Sequence, residues 1–392
     1  MNQFMVEPAG HGTHYDHLLI AVIVLLTGIG LVTLYSASYA FGERFFGDGL
    51  YFFFRQIVFG GALGILLFFL ALRIPLRILR KCITPLVLGT IVMCLCTFIP
   101  GIGVTKNGAA RWIHVGSYTY QPSELVKLVL PLYLAHIFTK KLDRIRVFSA
   151  GILPPALVTI LFFFLIYLQN NFSTALFIAI NALFVFFFVG VQFRYFIGAT
   201  VILIPLSGLL IFTKEHRLRR LISFIWPEWE PLGAGYQVQA SVLTIGSGGF
   251  WGKGIGQGVR KISSVPEIQS DFIFSSYAEE AGFIGILLFF LLFGLFAVRG
   301  YRACLRAEDT FARFLAFGLV TAIGSQMLLN VAVVSGVLPA TGIPLPFFSA
   351  GGSSLATTLL SAGLVVNVSG LPREIEPSRG AGVFRRPEVN LV

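Results

Sequence analysis

Seven charged residues fall inside or at the ends of long apolar stretches: Arg55, Glu124, Lys127, Asp271, Glu279, Glu280 and Arg313. Charge at membrane depth is costly, and it is kept where it pairs, lines a polar cavity or does chemistry. Arg55 and Arg313 lie near the ends of their stretches and can snorkel to the surface. Glu124 and Lys127 stand three apart in Gln121-Pro122-Ser123-Glu124-Leu125-Val126-Lys127, so a helix puts them on one face. Two readings stay open: a salt bridge that locks two helices, or a Lys127 that points into a polar cavity toward an anionic ligand. Arg111 lies just outside, in Asn107-Gly108-Ala109-Ala110-Arg111-Trp112-Ile113. A guanidinium and an ammonium at one cavity mouth suit phosphate, the first binding two oxygens and the second adding a point charge.

Asp271 begins another stretch, in Pro266-Glu267-Ile268-Gln269-Ser270-Asp271-Phe272-Ile273. By position it is a helix N-cap or first-turn acid. That reading is the one that position alone favours, but an aspartate at the mouth of a membrane cavity could also serve as a general base. Glu279 and Glu280 lie two turns deeper, where adjacent carboxylates need donors or a proton, and they read as a buried structural network. The glycine-rich run from Gly246 to Gly258 lacks the GxxxxGK[ST] pattern, so it is no nucleotide site; its glycines permit close backbone approach. Pro344-Leu345-Pro346-Phe347-Phe348-Ser349, followed by Gly351-Gly352-Ser353-Ser354, reads as re-entrant backbone feeding the last helix. Such backbone is tolerated only inside protein or beside a cavity. No metal site is indicated: the four cysteines form no CxxC pair, and His11, His14 and His17 belong to a polar tail.

The elements that must position these groups follow from composition. Of 392 residues, 56% are hydrophobic and 12% charged, with a mean hydropathy of +0.83. Soluble domains carry roughly 25% charged residues. A soluble enzyme, a coiled coil and a disordered chain are excluded, and an all-α polytopic membrane protein is expected. Ten stretches are long enough to cross a bilayer: about 17–37, 52–72, 82–100, 122–139, 148–167, 172–191, 195–213, 270–298, 311–337 and 350–370. They define a membrane domain over 17–370, with a tail at 1–16, another at 371–392 and one large loop over about 214–270. Lys and Arg concentrate at 73–81, 140–146, 299–306 and 373–386, which puts both termini in the cytoplasm and the large loop outside. The net charge of +11 is thus a matter of topology and anionic lipid, with no call for nucleic acid. That loop opens with a basic amphipathic helix, anchored at headgroup level by Trp226 and Trp229. No internal repeat supports an inverted-repeat transporter.

Five runs go further: NGAARWI (107–113), QPSELVKL (121–128), YQVQASVLTIGSGGFWGKGIGQG (236–258), VPEIQSDFIFSSYAEEAGFIG (265–285) and GVLPATGIPLPFFSAGGSS (336–354). In order and spacing they resemble the SEDS family of shape, elongation, division and sporulation proteins, which includes FtsW, RodA and SpoVE. YSASYA (35–40) and FFRQIVFGG (53–61) are more similar to the division branch than to the RodA-like elongation branch. The resemblance implies ten helices and a peptidoglycan glycosyltransferase in the bacterial inner membrane, at the division septum, that polymerises lipid II and releases undecaprenyl pyrophosphate. It implies Asp271 as the general base, and Arg111 and Lys127 as pyrophosphate contacts, with Lys253 and Arg260 as weaker candidates. Glu124, Glu279, Glu280, Ser349 and Ser353 would form a supporting polar network. A divalent cation, Mg2+ or Mn2+, could share the charge-stabilising task, although no ligand cluster specifies one. The implied partners are a class B penicillin-binding protein and other division proteins. The chain departs from the family at Asn171, where an aspartate is common, and at Ala350, where a tyrosine is common. A lipid II flippase and a non-catalytic division scaffold are the competing functions, and Asp271→Asn separates them from a polymerase.

Overall fold

The computed structural model describes residues 15–106, 108–116, 118–226, 234–258 and 268–370. Among these, nine helices are long and apolar enough to cross a membrane. They are α1 (His17–Phe46), α2 (Tyr51–Arg73), α3 (Leu76–Cys96), α5 (Phe148–Leu168), α6 (Phe172–Val189), α7 (Phe193–Phe212), α10 (Ile273–Arg306), α11 (Thr310–Val334) and α12 (Gly352–Ser369). The expected fourth span is α4 (Pro122–Lys140), a 19-residue helix set apart from the nine by its charged Glu124 and Lys127. It packs against α3, α6 and α11, and most of its residues are buried. The chain is an integral membrane protein.

Two features depart from the expected all-helical outline. Residues 103–120 form a three-stranded antiparallel sheet, β1 (Gly103–Lys106), β2 (Ala109–Val115) and β3 (Tyr118–Tyr120), between α3 and α4. The alternation is too short for a sequence pattern to show, because three to seven residues per strand give few periods. The expected large loop is itself helical, with α8 (Glu215–Ile225) and α9 (Ala234–Ser247). The basic amphipathic helix is therefore present, but Arg217 on it is buried rather than solvated. Trp229 and Arg260 lie outside the described residues.

One face of the bundle carries both ends of the described chain. There the Asp16 amide donates to Ser369 Oγ (3.2 Å), Asp16 pairs with Arg299 (2.6 Å) and Arg80 pairs with Asp309. The sheet, α8 and α9 lie toward the opposite ends of the spans. In the core α12 lies against α2, where a Cβ on Gly64 would come within 2.6 Å of Leu359 and one on Gly363 within 2.8 Å of the Phe68 carbonyl. Small residues let two such helices approach this closely.

The segment between α11 and α12 is irregular, and its second half, Ile343–Ser349, is mostly buried, as its composition predicts. Phe347 has φ +67, and Phe347 and Phe348 are both 2% exposed, packed against Phe289, Phe293 and Phe296. Side chains from the spans satisfy its backbone. Gln326 donates to the Pro344 carbonyl (2.7 Å) and Asn330 to that of Ile343 (2.9 Å). Gln56 donates to the Ser349 carbonyl (3.0 Å) and accepts from the Gly351 amide (2.9 Å). Each such bond removes a polar group that apolar surroundings would otherwise penalise.

The glycine-rich run has a related task. α10 breaks at Gly282 (φ 62, ψ −164), which frees carbonyls one turn earlier. The amides of Lys253 and Gly254 donate to the carbonyls of Glu279 and Glu280 (both 3.0 Å), and Phe283 donates back to Gly249 (2.9 Å). A Cβ on Gly282 would sit 2.2 Å from the Gly252 nitrogen. The close approach that the glycines permit is thus to protein backbone.

Candidate active site

A cavity of about 880 Å³ opens where the sheet meets the ends of α1, α2, α4 and α10 and the irregular segment. Among the described residues its wall carries four basic ones, Arg55, Arg111, Lys214 and Arg220, against two acids, Glu124 and Asp271. Phe41, Phe46, Phe52 and Tyr118 form an aromatic flank.

Asp271 sits in a turn just before α10, whose N-cap residue is Phe272; no side chain caps that helix. The capping role that its position suggested is therefore not the one its geometry supports. Its backbone is pinned by Asn330, whose amide donates to the Asp271 carbonyl (2.8 Å) while also holding Ile343. Gly342 (φ 72) stands beside the carboxylate: a Cβ there would lie 3.4 Å from Oδ2. Next to it, Gln269 receives the Ala350 amide on its backbone carbonyl (2.8 Å), and its buried side-chain oxygen has no hydrogen-bond partner among the described residues.

Arg111 extends from β2 and donates to the Asn170 carbonyl, and the Asn170 side chain returns a bond to the Gly108 carbonyl (2.9 Å). This clasp ties the sheet to the turn between α5 and α6. Burial lowers the Arg111 pKa to about 10, and Arg220 and Arg217 push the same way while Asp271 opposes them. Arg220 is lowered chiefly by burial, with Asp271 again opposing. The guanidiniums and the carboxylate thus share one field, in which Asp271 offsets part of the repulsion between the cations.

Of the other sequence candidates, Glu124 and Ser353 line the cavity. Lys127 does not: it lies behind Glu124, paired at 2.7 Å, and donates to Gln326 Oε1 (2.9 Å). Its place matches the helix-locking reading, since Gln326 belongs to α11. Ser349 is buried beneath the wall and accepts from the Leu345 amide (2.7 Å). Lys253, Glu279 and Glu280 are elsewhere, at the α10 break. Lys253 pairs with Glu279 (3.4 Å), and Ser36 donates to Glu280 (2.6 Å). Arg55, Lys214 and Arg220 were not among the expected site residues. By sequence Arg55 is a snorkelling end residue, and Arg220 is one of several basic residues on an amphipathic helix. Only the inward turn of α8 distinguishes Arg220. Among the described residues no group of three or more His, Cys, Asp or Glu is placed to hold a metal ion.

A polytopic helical bundle with a cationic cavity and an aspartate at its mouth is the class that fold and site define. A family model described as cell cycle protein, FtsW/RodA/SpoVE, matches residues 16–373, and the chain belongs to that family. It is 39% identical to the probable peptidoglycan glycosyltransferase FtsW of Geobacter sp. (strain M18), over 91% of this chain and 96% of that one. It is 36% identical to stage V sporulation protein E of Bacillus subtilis (strain 168), over 91% and 97%. Among solved structures it resembles a chain of a peptidoglycan synthase complex that coordinates polymerization and crosslinking, with TM-score 0.74, 29% identity and coverage of 91% and 97%. It also resembles the rod shape determining protein RodA of Thermus thermophilus, with TM-score 0.65, 30% identity and coverage of 91% and 96%.

Proposed function

We propose that this protein is a division-type peptidoglycan glycosyltransferase, polymerising lipid II at the outer face of the bacterial inner membrane, at the septum. The observation that carries the reading is a single cavity holding Asp271 together with Arg111 and Arg220. Several relatives that bear the name FtsW support the division branch over the elongation branch.

Asp271 takes the proton from the 4-hydroxyl of the incoming GlcNAc. The oxygen then attacks the anomeric carbon of MurNAc on the growing strand, and the bond to undecaprenyl pyrophosphate breaks. Negative charge grows on the departing pyrophosphate, and Arg111 and Arg220 meet it with fixed cations in a partly dry site. Arg55 and Lys214 widen the cationic rim. Lys127 acts through Glu124: with its partner neutralised, that acid weakens the cavity's positive potential less. A Mg2+ or Mn2+ ion bound with the substrate would add charge at the leaving group, but the residues present do not specify its ligands: among the described residues no group of three or more His, Cys, Asp or Glu is placed to hold one.

The synthase complex among the structural relatives supports a partnership with a cross-linking class B penicillin-binding protein. The test is polymerisation of labelled lipid II by the purified chain, alone and with that partner, alongside Asp271→Asn. Strands from wild type and none from the variant are expected. Lipid translocation without strands from either would replace this reading with a flippase, and strands from both would remove Asp271 as the base.

A further inference from the structure

Two local irregularities meet where the sheet touches the turn between α5 and α6. The first is in β2. Its register with β1 pairs Trp112 with Val104 and Ala110 with Thr105, so Arg111 is the extra residue of a β-bulge. A bulge takes its residue out of the strict alternation of a strand and re-aims the side chain, here along the wall of the Asp271 cavity. Holding a long arginine in one place costs rotamer freedom, so something must fix it.

The second irregularity is the end of α5. The backbone amides of Asn170 and Asn171 donate to the carbonyls of Tyr167 (3.0 Å) and Ile166 (3.3 Å), the paired bonds of a Schellman motif. That ending needs a left-handed residue, and Asn170 has φ 58, one of two positive angles outside glycine among the described residues. Asparagine tolerates this conformation better than most side chains. The helix end uses only the Asn170 backbone amide. Its carbonyl accepts from Arg111 Nη2, and its side-chain amide donates to the carbonyl of Gly108, just before β2 (2.9 Å). Arg111 Nε is buried and has no hydrogen-bond partner among the described residues, so the Asn170 carbonyl is the acceptor that fixes the guanidinium.

We propose that Asn170 is a positioning residue for the cavity: the left-handed end of α5 grips the hairpin at Gly108 and at the bulge, and so sets where the Arg111 guanidinium stands. Neither grip is local, since the two partners lie 62 and 59 residues away along the chain. What Arg111 then meets, a departing pyrophosphate, rests on the polymerase reading; the grip itself does not.

The test joins hydrogen exchange to ligand binding on the full chain in detergent. Asn170→Gly keeps the left-handed angle and the carbonyl and removes only the side-chain amide, whereas Asn170→Ala also strains the angle. Both should speed exchange in peptides covering 108–113, Asn170→Ala more, and leave 352–369 unchanged. Affinity for undecaprenyl pyrophosphate, taken per folded protein at pH 7, should fall about threefold or more in Asn170→Ala. In an Arg111→Gln background the same substitution should change affinity by less than about twofold, because its effect runs through that guanidinium. A purely structural role predicts an equal loss in both backgrounds, or a lowered melting temperature with affinity unchanged, and either result overturns the proposal. Exchange at 108–113 that is indifferent to both variants overturns it as well. Faster exchange in the variants, with lipid II left unpolymerised by every form including wild type, would uphold the positioning and sink the polymerase reading.

Discussion

Asn330 holds two carbonyls at once, those of Asp271 and Ile343, and so sets where the carboxylate stands relative to the irregular segment. Asn330→Leu removes this donor from both carbonyls, at about 1–3 kcal/mol for a buried acceptor such as that of Ile343. Steady-state kinetics on lipid II should show a fall in kcat larger than any rise in KM, because the proton acceptor moves while the cationic rim stays. Gly342→Ala acts on the same carboxylate from the other side: a left-handed φ of 72 makes the change strained, and the new Cβ would touch Oδ2 at 3.4 Å. Arg111 supplies a pH dependence. Its pKa is lowered to about 10, so its charge, and affinity for pyrophosphate, should hold through neutral pH and fall as pH rises through 10. The stability term has the opposite sign. A cation with a depressed pKa costs the fold something while charged, and that cost lifts above the same pH. Pyrophosphate binding measured from pH 7 to 11 in wild type and Arg111→Gln checks the first: weaker binding by the variant at pH 7 is expected, and equal affinity at pH 7 would remove Arg111 from the contact.

α10 is two helices joined across Gly282, and the glycine-rich run is the splint that pairs with the break. Gly282→Ala should cost about 1–3 kcal/mol from the backbone angle alone, with the contact to the Gly252 nitrogen added. A lowered melting temperature in detergent would register it, and an unshifted one would mean that the two halves are not locked as described. α7 makes the opposite point. None of its residues is buried, and Ile202 is 66% exposed, so lipid rather than protein covers it. Ile202→Lys near its middle should oppose insertion by about 2.5–3.5 kcal/mol, which a glycosylation-based insertion assay would read.

At the scale of the whole molecule, both described ends share a face with Glu308 and the Arg80–Asp309 and Asp16–Arg299 pairs, and the cavity with its sheet lies at the other. The positive-inside distribution predicts that the cavity faces the outer surface of the membrane. In a background with all four cysteines replaced, a membrane-impermeant maleimide should label His114→Cys on intact spheroplasts. Glu308→Cys should react only after permeabilisation. The reverse pattern would invert the topology, and with it the side on which lipid II is consumed.

A polytopic helical membrane protein, nearly all of its spans, the irregular stretch before the last helix and the family are all legible in the amino-acid order. Hydrophobic length and in-order motifs are local properties, readable without a fold. The sequence also draws attention to Asp271, Arg111 and the Glu124–Lys127 pair, because charge is rare at membrane depth. Only the tertiary structure decided which of these share a cavity. Arg220 and Arg217 look like any basic residues on an amphipathic helix until α8 turns them inward. Lys127 is placed behind Glu124 by Gln326, which is 199 residues away. Lys253 is drawn to Glu279 by a helix break that its own neighbours do not reveal. Which face of a helix meets another depends on contacts distant in sequence, and no local pattern records them.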